Sequence, residues 1–209
     1  DFTASAWQEK VVSEMTEATM NRREAVAKLL ENRDGALVVT GLGSPSYDVH
    51  AYGDTDDNYY LWGAMGGAAL TGLGLAQAQP NKRVMVITGD GEMLMAFGAM
   101  ATIAVAKPSN LDIIVLDNQH FGETGMQDSH TGMGINLSGV AAACGFAETR
   151  VLCSIKDVDA LCAELKKPAK GPRLYVLKIA AQNLPRSLPP RDATFIKTRF
   201  RAHLGLASC

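Results

Sequence analysis

Apolar residues in this chain gather into short continuous runs, and between those runs they recur at helical spacing. The runs at 36–42, 83–89, 111–117 and 173–179 are rich in Val, Ile and Leu, and 147–152 reads as a further strand. Apolar character on successive rather than alternate positions predicts strands covered on both faces, as in a parallel sheet. Helices are predicted at 21–32, 64–78, 93–106, 140–144 and 157–167. The first starts from Asn21, which makes a capping-box pattern with Glu24. The last sets Val158, Leu161, Cys162 and Leu165 on one face. Pro80 and Asn81 close the second, the third meets no Gly-Pro break before Pro108, and Ser138 opens the fourth. A long loop is expected from the first strand through Asn58. The stretch 118–136 is too long and glycine-rich for a simple connection. Strands alternating with helices argue an α/β fold of three layers, a parallel sheet with helices on both faces.

Composition narrows the class without naming a chemistry. At 209 residues one domain is the default. It is expected over 20–185, with a polar segment at 1–19 and a basic tail at 186–209. The leading segment reads as a native extension or a cloning remnant, with Met20 as a natural start. At 47% apolar the chain is globular, and no apolar run reaches the ~18 residues of a membrane span. A formal charge of −2 gives no reason to invoke nucleic acid or a membrane surface. Cys144, Cys153, Cys162 and Cys209 lack C-x-x-C spacing, which argues against zinc and iron–sulfur sites. Of these, Cys144 and Cys162 sit in apolar surroundings and are expected in the core. The N-terminus lacks the basic, apolar, small-residue order of a secretory signal. A cytoplasmic protein with reduced thiols is the expectation.

Two strand ends carry candidate chemistry. Gly89-Asp90-Gly91 closes the run at 83–89, and Asn118, 28 residues after Asp90, closes the run at 111–117. In an open parallel sheet, strand carboxyl ends open into the crevice where ligands bind. A carboxylate and an amide oxygen brought together there suit Mg²⁺, which keeps few protein ligands and takes substrate phosphates for the rest.

Gly-Asp-Gly alone is also a common turn. Flanked by strands and followed at this distance by Asn, it resembles the motif of thiamine diphosphate-dependent enzymes. A second segment agrees: 61–76, Leu-Trp-Gly-Ala-Met-Gly-Gly-Ala-Ala-Leu-Thr-Gly-Leu-Gly-Leu-Ala, reads as a helix of very small residues. Gly inside a helix costs about 1 kcal/mol relative to Ala, so these glycines point to close approach of a cofactor or another chain. The third is 36–46, a strand ending in Gly-Leu-Gly-Ser-Pro-Ser, whose N–H groups suit phosphate oxygens; Gly43 and Ser44 are the candidates.

The resemblance implies roles for these positions. Asp90, Asn118 and the backbone carbonyl of His120 would bind Mg²⁺. The Gly63 carbonyl would accept from the aminopyrimidine amine, and Met65 would wedge between the two cofactor rings. Gly89, Gly91 and Glu92 would lie against the diphosphate. Phe121, Gly122, Glu123 and Thr124 would cover the thiazolium and touch substrate, making His120 and Glu123 catalytic candidates; for Glu123 and His130 a solvated loop is the competing reading. Two positions depart from the family pattern. Asp117 precedes the ligand Asn where many members have a second Asn. Glu92 follows Gly-Asp-Gly where a small residue is common, and is expected to offer its N–H while its side chain turns away.

The glutamate that activates the pyrimidine ring comes, in this family, from a separate pyrimidine-binding domain, for which this chain has no room. The resemblance therefore implies a partner α subunit and an α₂β₂ or larger assembly. The wording of 116–125 looks most like the β subunits of sulfopyruvate decarboxylase and the matching end of phosphonopyruvate decarboxylase. The implied substrate is a small 2-oxo acid with a second anionic group. The Arg-rich tail suits sulfonate or phosphonate, with a solvated surface or a subunit contact as the alternatives. An acetolactate synthase-like carboligase, a ferredoxin-coupled oxidoreductase subunit and a non-catalytic cofactor-binding subunit are the competing classes. A nicotinamide-binding fold is less favoured still, because no G-x-G-x-x-G opens a helix right after a strand with an acidic ribose partner following.

Overall fold

The structure, a computed structural model, describes residues 19–206. The leading segment thus lies outside the described residues up to 18, as does Cys209. Six strands form one parallel sheet: β1 (Leu37–Thr40), β2 (Asn58–Tyr60), β3 (Val84–Gly89), β4 (Leu111–Asp117), β7 (Glu148–Leu152) and β8 (Arg173–Lys178). Their order is β2-β1-β3-β4-β8-β7. A short antiparallel pair, β5 (His120–Phe121) and β6 (Gln127–Asp128), stands apart.

Alternate residues of the central strands feed two separate cores. Met85 and Ile87 of β3, Ile114 and Leu116 of β4, and Tyr175 and Leu177 of β8 pack on one face. They meet α1 (Arg22–Glu31), α2 (Ser44–Tyr52), α7 (Ile155–Leu165) and α8 (Ala193–His203). Val84, Val86, Ile113, Val115, Leu174 and Val176 face the other way. There they meet α3 (Ala68–Ala78), α4 (Asp90–Met95), α5 (Ala99–Ala106) and α6 (Leu137–Cys144). The expected three-layer α/β architecture is therefore what the chain adopts. No helix among the described residues is long and apolar enough to cross a membrane.

Several boundaries differ from expectation, each for a local reason. The expected long loop contains α2 and ends at the first residue of the edge strand β2. Helix α2 hides because five successive residues, Pro45 to Val49, are all buried, so no face reads as polar. The helix expected at 64–78 begins at Ala68; Gly63 and Gly66 have φ of 75° and 89°, which bend the chain into a turn before it. The helix expected at 93–106 is two, α4 and α5, broken at 96–98, where Gly98 precedes α5. Helix α6 starts earlier than expected because the Asn136 side chain accepts from Gly139 N. Ser154 and Asp157 form a full capping box that starts α7 two residues before the predicted boundary. Asn21 caps α1 as expected, accepting from Arg23 N and Glu24 N.

The basic tail is not a free surface strand. Asp192 caps α8, and Ile196 and Phe200 bury its inner face, with the Phe200 ring edge-on to Tyr59 of β2 at 5.4 Å between centroids. Arg199 forks onto both Asp54 carboxylate oxygens at 2.7 Å. The Trp62 indole donates to the Pro190 carbonyl at 2.7 Å. Helix α3 owes at least one glycine to its own sheet rather than to a cofactor or partner: a Cβ on Gly72 would lie 2.2 Å from Val86 Cγ2. Cys162 is buried as expected, while Cys144 is half-buried beside the second core.

Candidate active site

The chain leaves β1 outward to β2, then crosses back to β3 on the other side. This makes the β1/β3 boundary a switch point, where open sheets form crevices. A cleft of about 180 Å³ opens there. The loop after β1 gives it Leu42, Ser44 and Pro45. The end of β3 contributes Gly89, Asp90, Gly91 and Glu92, and the β4–β5 segment adds Asn118, His120, Phe121, Gly122, Glu123 and Thr124. Met65, from the turn before α3, also lines it. Eleven of the thirteen candidate residues line this one cavity; Gly43 and Gly63 do not, though Gly43 adjoins Ser44 and Gly63 belongs to the same turn as Met65.

Asp90 is buried, 2% exposed, at the first position of α4. Its Oδ2 accepts from Ser129 Oγ and from Thr131 Oγ1, the latter at 3.0 Å. Thr131 Oγ1 also lies 2.7 Å from Asp117 Oδ1 and carries a single proton for the two carboxylates. Asp117 is neutralised by Lys178 at 2.6 Å. Asp90 has no Lys or Arg partner among the described residues. Burial, then the charge of Asp117, pushes its carboxyl up to about 6. A cation beside it would offset both effects, so this donor set fits a divalent metal. Asn118 turns its Oδ1 to the His120 N–H at 3.0 Å, which folds the chain so that the strand end faces the cleft. The imidazole of His120 is tied back, with Nδ1 2.7 Å from the Asn118 carbonyl and Nε2 3.3 Å from Asp128. No cluster of three or more His, Cys, Asp or Glu suited to a metal occurs among the described residues.

Glu92 lines the cleft at the start of α4. Its carboxylate turns inward, accepting from Leu42 N at 2.9 Å and Ala68 N at 3.2 Å. It therefore caps α3, whose own N-cap residue Gly67 has no side chain to do so. Gly41 makes room for it, since a Cβ there would fall 1.7 Å from Glu92 Oε2. Burial pushes the Glu92 carboxyl up despite these donors.

Gly43 has φ of 79° and precedes α2, whose first turn lacks a side-chain cap. Ser44 follows at the helix start, an arrangement of backbone N–H groups suited to phosphate oxygens. Over Gly91 lies the Phe121 ring: a Cβ on Gly91 would meet Phe121 Cε1 at 2.7 Å and Met65 Cε at 3.7 Å. Met65 remains 41% exposed, projecting from the turn. Glu123 is partly exposed and pairs with Arg186 at 2.8 Å, which brings the C-terminal segment to the cleft mouth. His130 is exposed and does not line the cleft. Sequence reasoning missed Ser129, Thr131 and Lys178, which hold the two carboxylates, because nothing in their spacing marks them. It also missed Arg22, on the far wall beside Ile179.

This strand order, with a carboxylate and an amide at adjoining strand ends, defines a cofactor-binding α/β domain. Residues 41–179 match the family model of the thiamine pyrophosphate enzyme C-terminal TPP binding domain. The chain belongs to that family. Sulfopyruvate decarboxylase subunit beta of Methanocaldococcus jannaschii is 38% identical over 125 residues, 59% of this chain and 66% of that protein. Phosphonopyruvate decarboxylase of Streptomyces viridochromogenes is 37% identical over 189 residues, 88% of this chain. The match spans 46% of that longer relative. Among solved structures, benzoylformate decarboxylase from Polynucleobacter necessarius shares the fold with a TM-score of 0.66 at 19% identity, over 79% of this chain and 34% of that one.

Proposed function

We propose that this chain is the diphosphate- and metal-binding half of a split thiamine diphosphate-dependent 2-oxo acid decarboxylase. The observation that carries the reading is Asp90, a buried carboxylate with no cationic partner among the described residues, sharing one cleft with Asn118. Mg²⁺ bound by Asp90, Asn118 and the carbonyl of His120 meets that need, with cofactor phosphates completing its shell. Gly43, Ser44, Gly89, Gly91 and the Glu92 N–H hold the diphosphate. The Gly63 carbonyl and Met65 fix the cofactor rings, and Phe121 and Gly122 close over them. When bound, thiamine diphosphate supplies a nucleophilic carbon and an electron sink for the pair released as CO₂ leaves. The residues of this chain would hold the metal and the cofactor and exclude water, with His120 and Glu123 bordering the substrate.

The glutamate that activates the pyrimidine ring falls to a partner α subunit. Glu92, the carboxylate that could compete for the role, is already bonded to two backbone N–H groups. Exposed Met65, Leu70, Met95 and Phe97 on this side of the sheet provide apolar surface for such a partner, in an α₂β₂ or larger assembly. The names of the relatives support a three-carbon 2-oxo acid bearing a sulfonate or phosphonate. A cytoplasmic location with free thiols goes with this reading.

Coexpression with a candidate α subunit, followed by assay of CO₂ release from sulfopyruvate, phosphonopyruvate and pyruvate, tests it. Release is expected to need both chains, thiamine diphosphate and Mg²⁺, and to disappear in Asp90→Ala. A cofactor-loaded complex that releases CO₂ from none of the three would instead mean carboligation or a non-catalytic role.

A further inference from the structure

We propose that Arg22 is an oxyanion-recognition residue of the cleft, binding either the cofactor's diphosphate or the second acid group of the substrate. The inference rests on the cofactor site proposed above. Arg22 opens α1 and is only 4% exposed, yet it lines the cleft together with Ser44, Pro45 and Ile179. It is the one Lys or Arg among the described lining residues. Its partners hold it rigidly without saturating it. The Nε donates to Asp48 Oδ2 at 2.7 Å and Nη1 donates to the Gln182 carbonyl at 2.6 Å. The Nη2 amino group has no partner among the described residues.

Charge balance points the same way. Asp48 is fully buried and accepts from two guanidiniums, Arg22 and Arg23, the latter at 2.9 Å. Two cations on one carboxylate leave one positive charge uncompensated. Arg23 is 30% exposed and also reaches the Pro185 carbonyl at the surface, so water screens it. Arg22 has almost no water, and an unbalanced buried charge is costly unless a ligand balances it. The other charges of the cleft are otherwise occupied: Glu123 by Arg186, Glu92 by two N–H groups, and Asp90 as the proposed metal ligand. A planar guanidinium fixed by one carboxylate and one carbonyl in the lining of a cavity matches sulfonate, phosphonate or phosphate oxygens.

The test is calorimetric and needs no turnover. The full chain is titrated with thiamine diphosphate and Mg²⁺, and then, cofactor-loaded, with sulfopyruvate and with pyruvate. In Arg22→Met, affinity is expected to fall about tenfold or more for one of the doubly charged ligands. Loss of thiamine diphosphate affinity names the diphosphate as the anion; loss of sulfopyruvate with pyruvate unchanged names the substrate. Arg23→Met removes the other Asp48 partner and is expected to leave both affinities within about threefold. Unchanged binding in Arg22→Met, or an equal loss in Arg23→Met, overturns the proposal. Should Arg22→Met fail to fold, Arg22→Lys keeps the charge and loses the fork. A loss of about fivefold is then expected, against none in Arg23→Lys, and equal affinities overturn the assignment. Failure of the decarboxylase reading would show separately, as normal binding by this chain with no CO₂ release from its coexpressed complex with the α subunit.

Discussion

Replacing Glu92 with alanine tests whether one inward-turned carboxylate holds the cleft walls together. The side chain joins three segments: its own helix α4, the loop after β1 through Leu42 N, and the start of α3 through Ala68 N. Truncation leaves both N–H groups unpaired, Ala68 N in a buried setting and Leu42 N in a partly buried one. Each orphaned donor costs about 1–3 kcal/mol. The sum is about 2–6 kcal/mol, reduced somewhat because burying this carboxylate is itself unfavourable. For a domain of this size each kcal/mol lowers the melting temperature by about 2–4 °C, so a fall of about 10 °C is expected. Glu92→Gln keeps one acceptor and sets its amide nitrogen against the other N–H, and should fall about half as far. Thermal melts followed by circular dichroism, on the full chain without cofactor, give the ranking. Amide hydrogen exchange at Leu42 and Ala68 should accelerate in Glu92→Ala ahead of global unfolding. An alanine variant melting within about 2 °C of the parent, or a glutamine variant less stable than the alanine one, would refute the reasoning.

Three further outcomes follow from the packing. Gly72→Ala is expected to destabilise by about 1–3 kcal/mol in a denaturant titration, because its Cβ would lie 2.2 Å from Val86 Cγ2. Gly74→Ala, with nothing within 4 Å, should gain up to about 1 kcal/mol; Gly72→Ala at or above parental stability would contradict the contact. Arg173→Met strands the buried Asp112, paired with Arg173 at 2.5 Å and with Arg83 only at 3.6 Å, at a cost of about 3–5 kcal/mol. Adding Asp112→Leu should recover much of that loss in urea unfolding. Asp157 has its carboxyl held below the ordinary 3.8, first by the Ser154 hydroxyl. Its contribution is therefore present above pH 3.8 and lost as pH falls through the lowered value. The melting-temperature gap between parent and Asp157→Asn should be open near neutrality and close in strong acid.

Elements with contrast between faces were legible in the sequence. Strands β3, β4 and β8 are buried on both sides, so their apolar runs were continuous and their ends fell within a residue of expectation. Helix α7 showed a clean stripe through Val158, Leu161, Cys162 and Leu165, all buried. Helix α2 was not legible because its buried Asp48 reads as a surface residue until Arg22 and Arg23 are seen to meet it across 26 and 25 positions. Pro45 in its first turn was the available signal. Helix α8 was concealed by its many cations, although Asp192 as a cap and the Ile196–Phe200 pair at i,i+4 were there to be read. In the site, residues at strand ends were predictable because topology brings strand ends together. Ser129, Thr131, Lys178 and Arg22 come from segments whose approach depends on tertiary packing, which local pattern does not encode.

The docking of α8 against β2 bears on how open the sheet is to added strands. An outermost strand offers a row of unpaired N–H and C=O groups to any other strand that arrives. At one border of the sheet that row belongs to β2, and the C-terminal segment is fastened over this side by Phe200 on Tyr59, Arg199 on Asp54 and Pro190 on Trp62. At the opposite border lies β7, which carries the charged pair Glu148 and Arg150. The last stretch of chain therefore works as a guard against strand addition and aggregation. A chain ending before Asp192 would keep its cleft residues while leaving one border of the sheet open to a stranger.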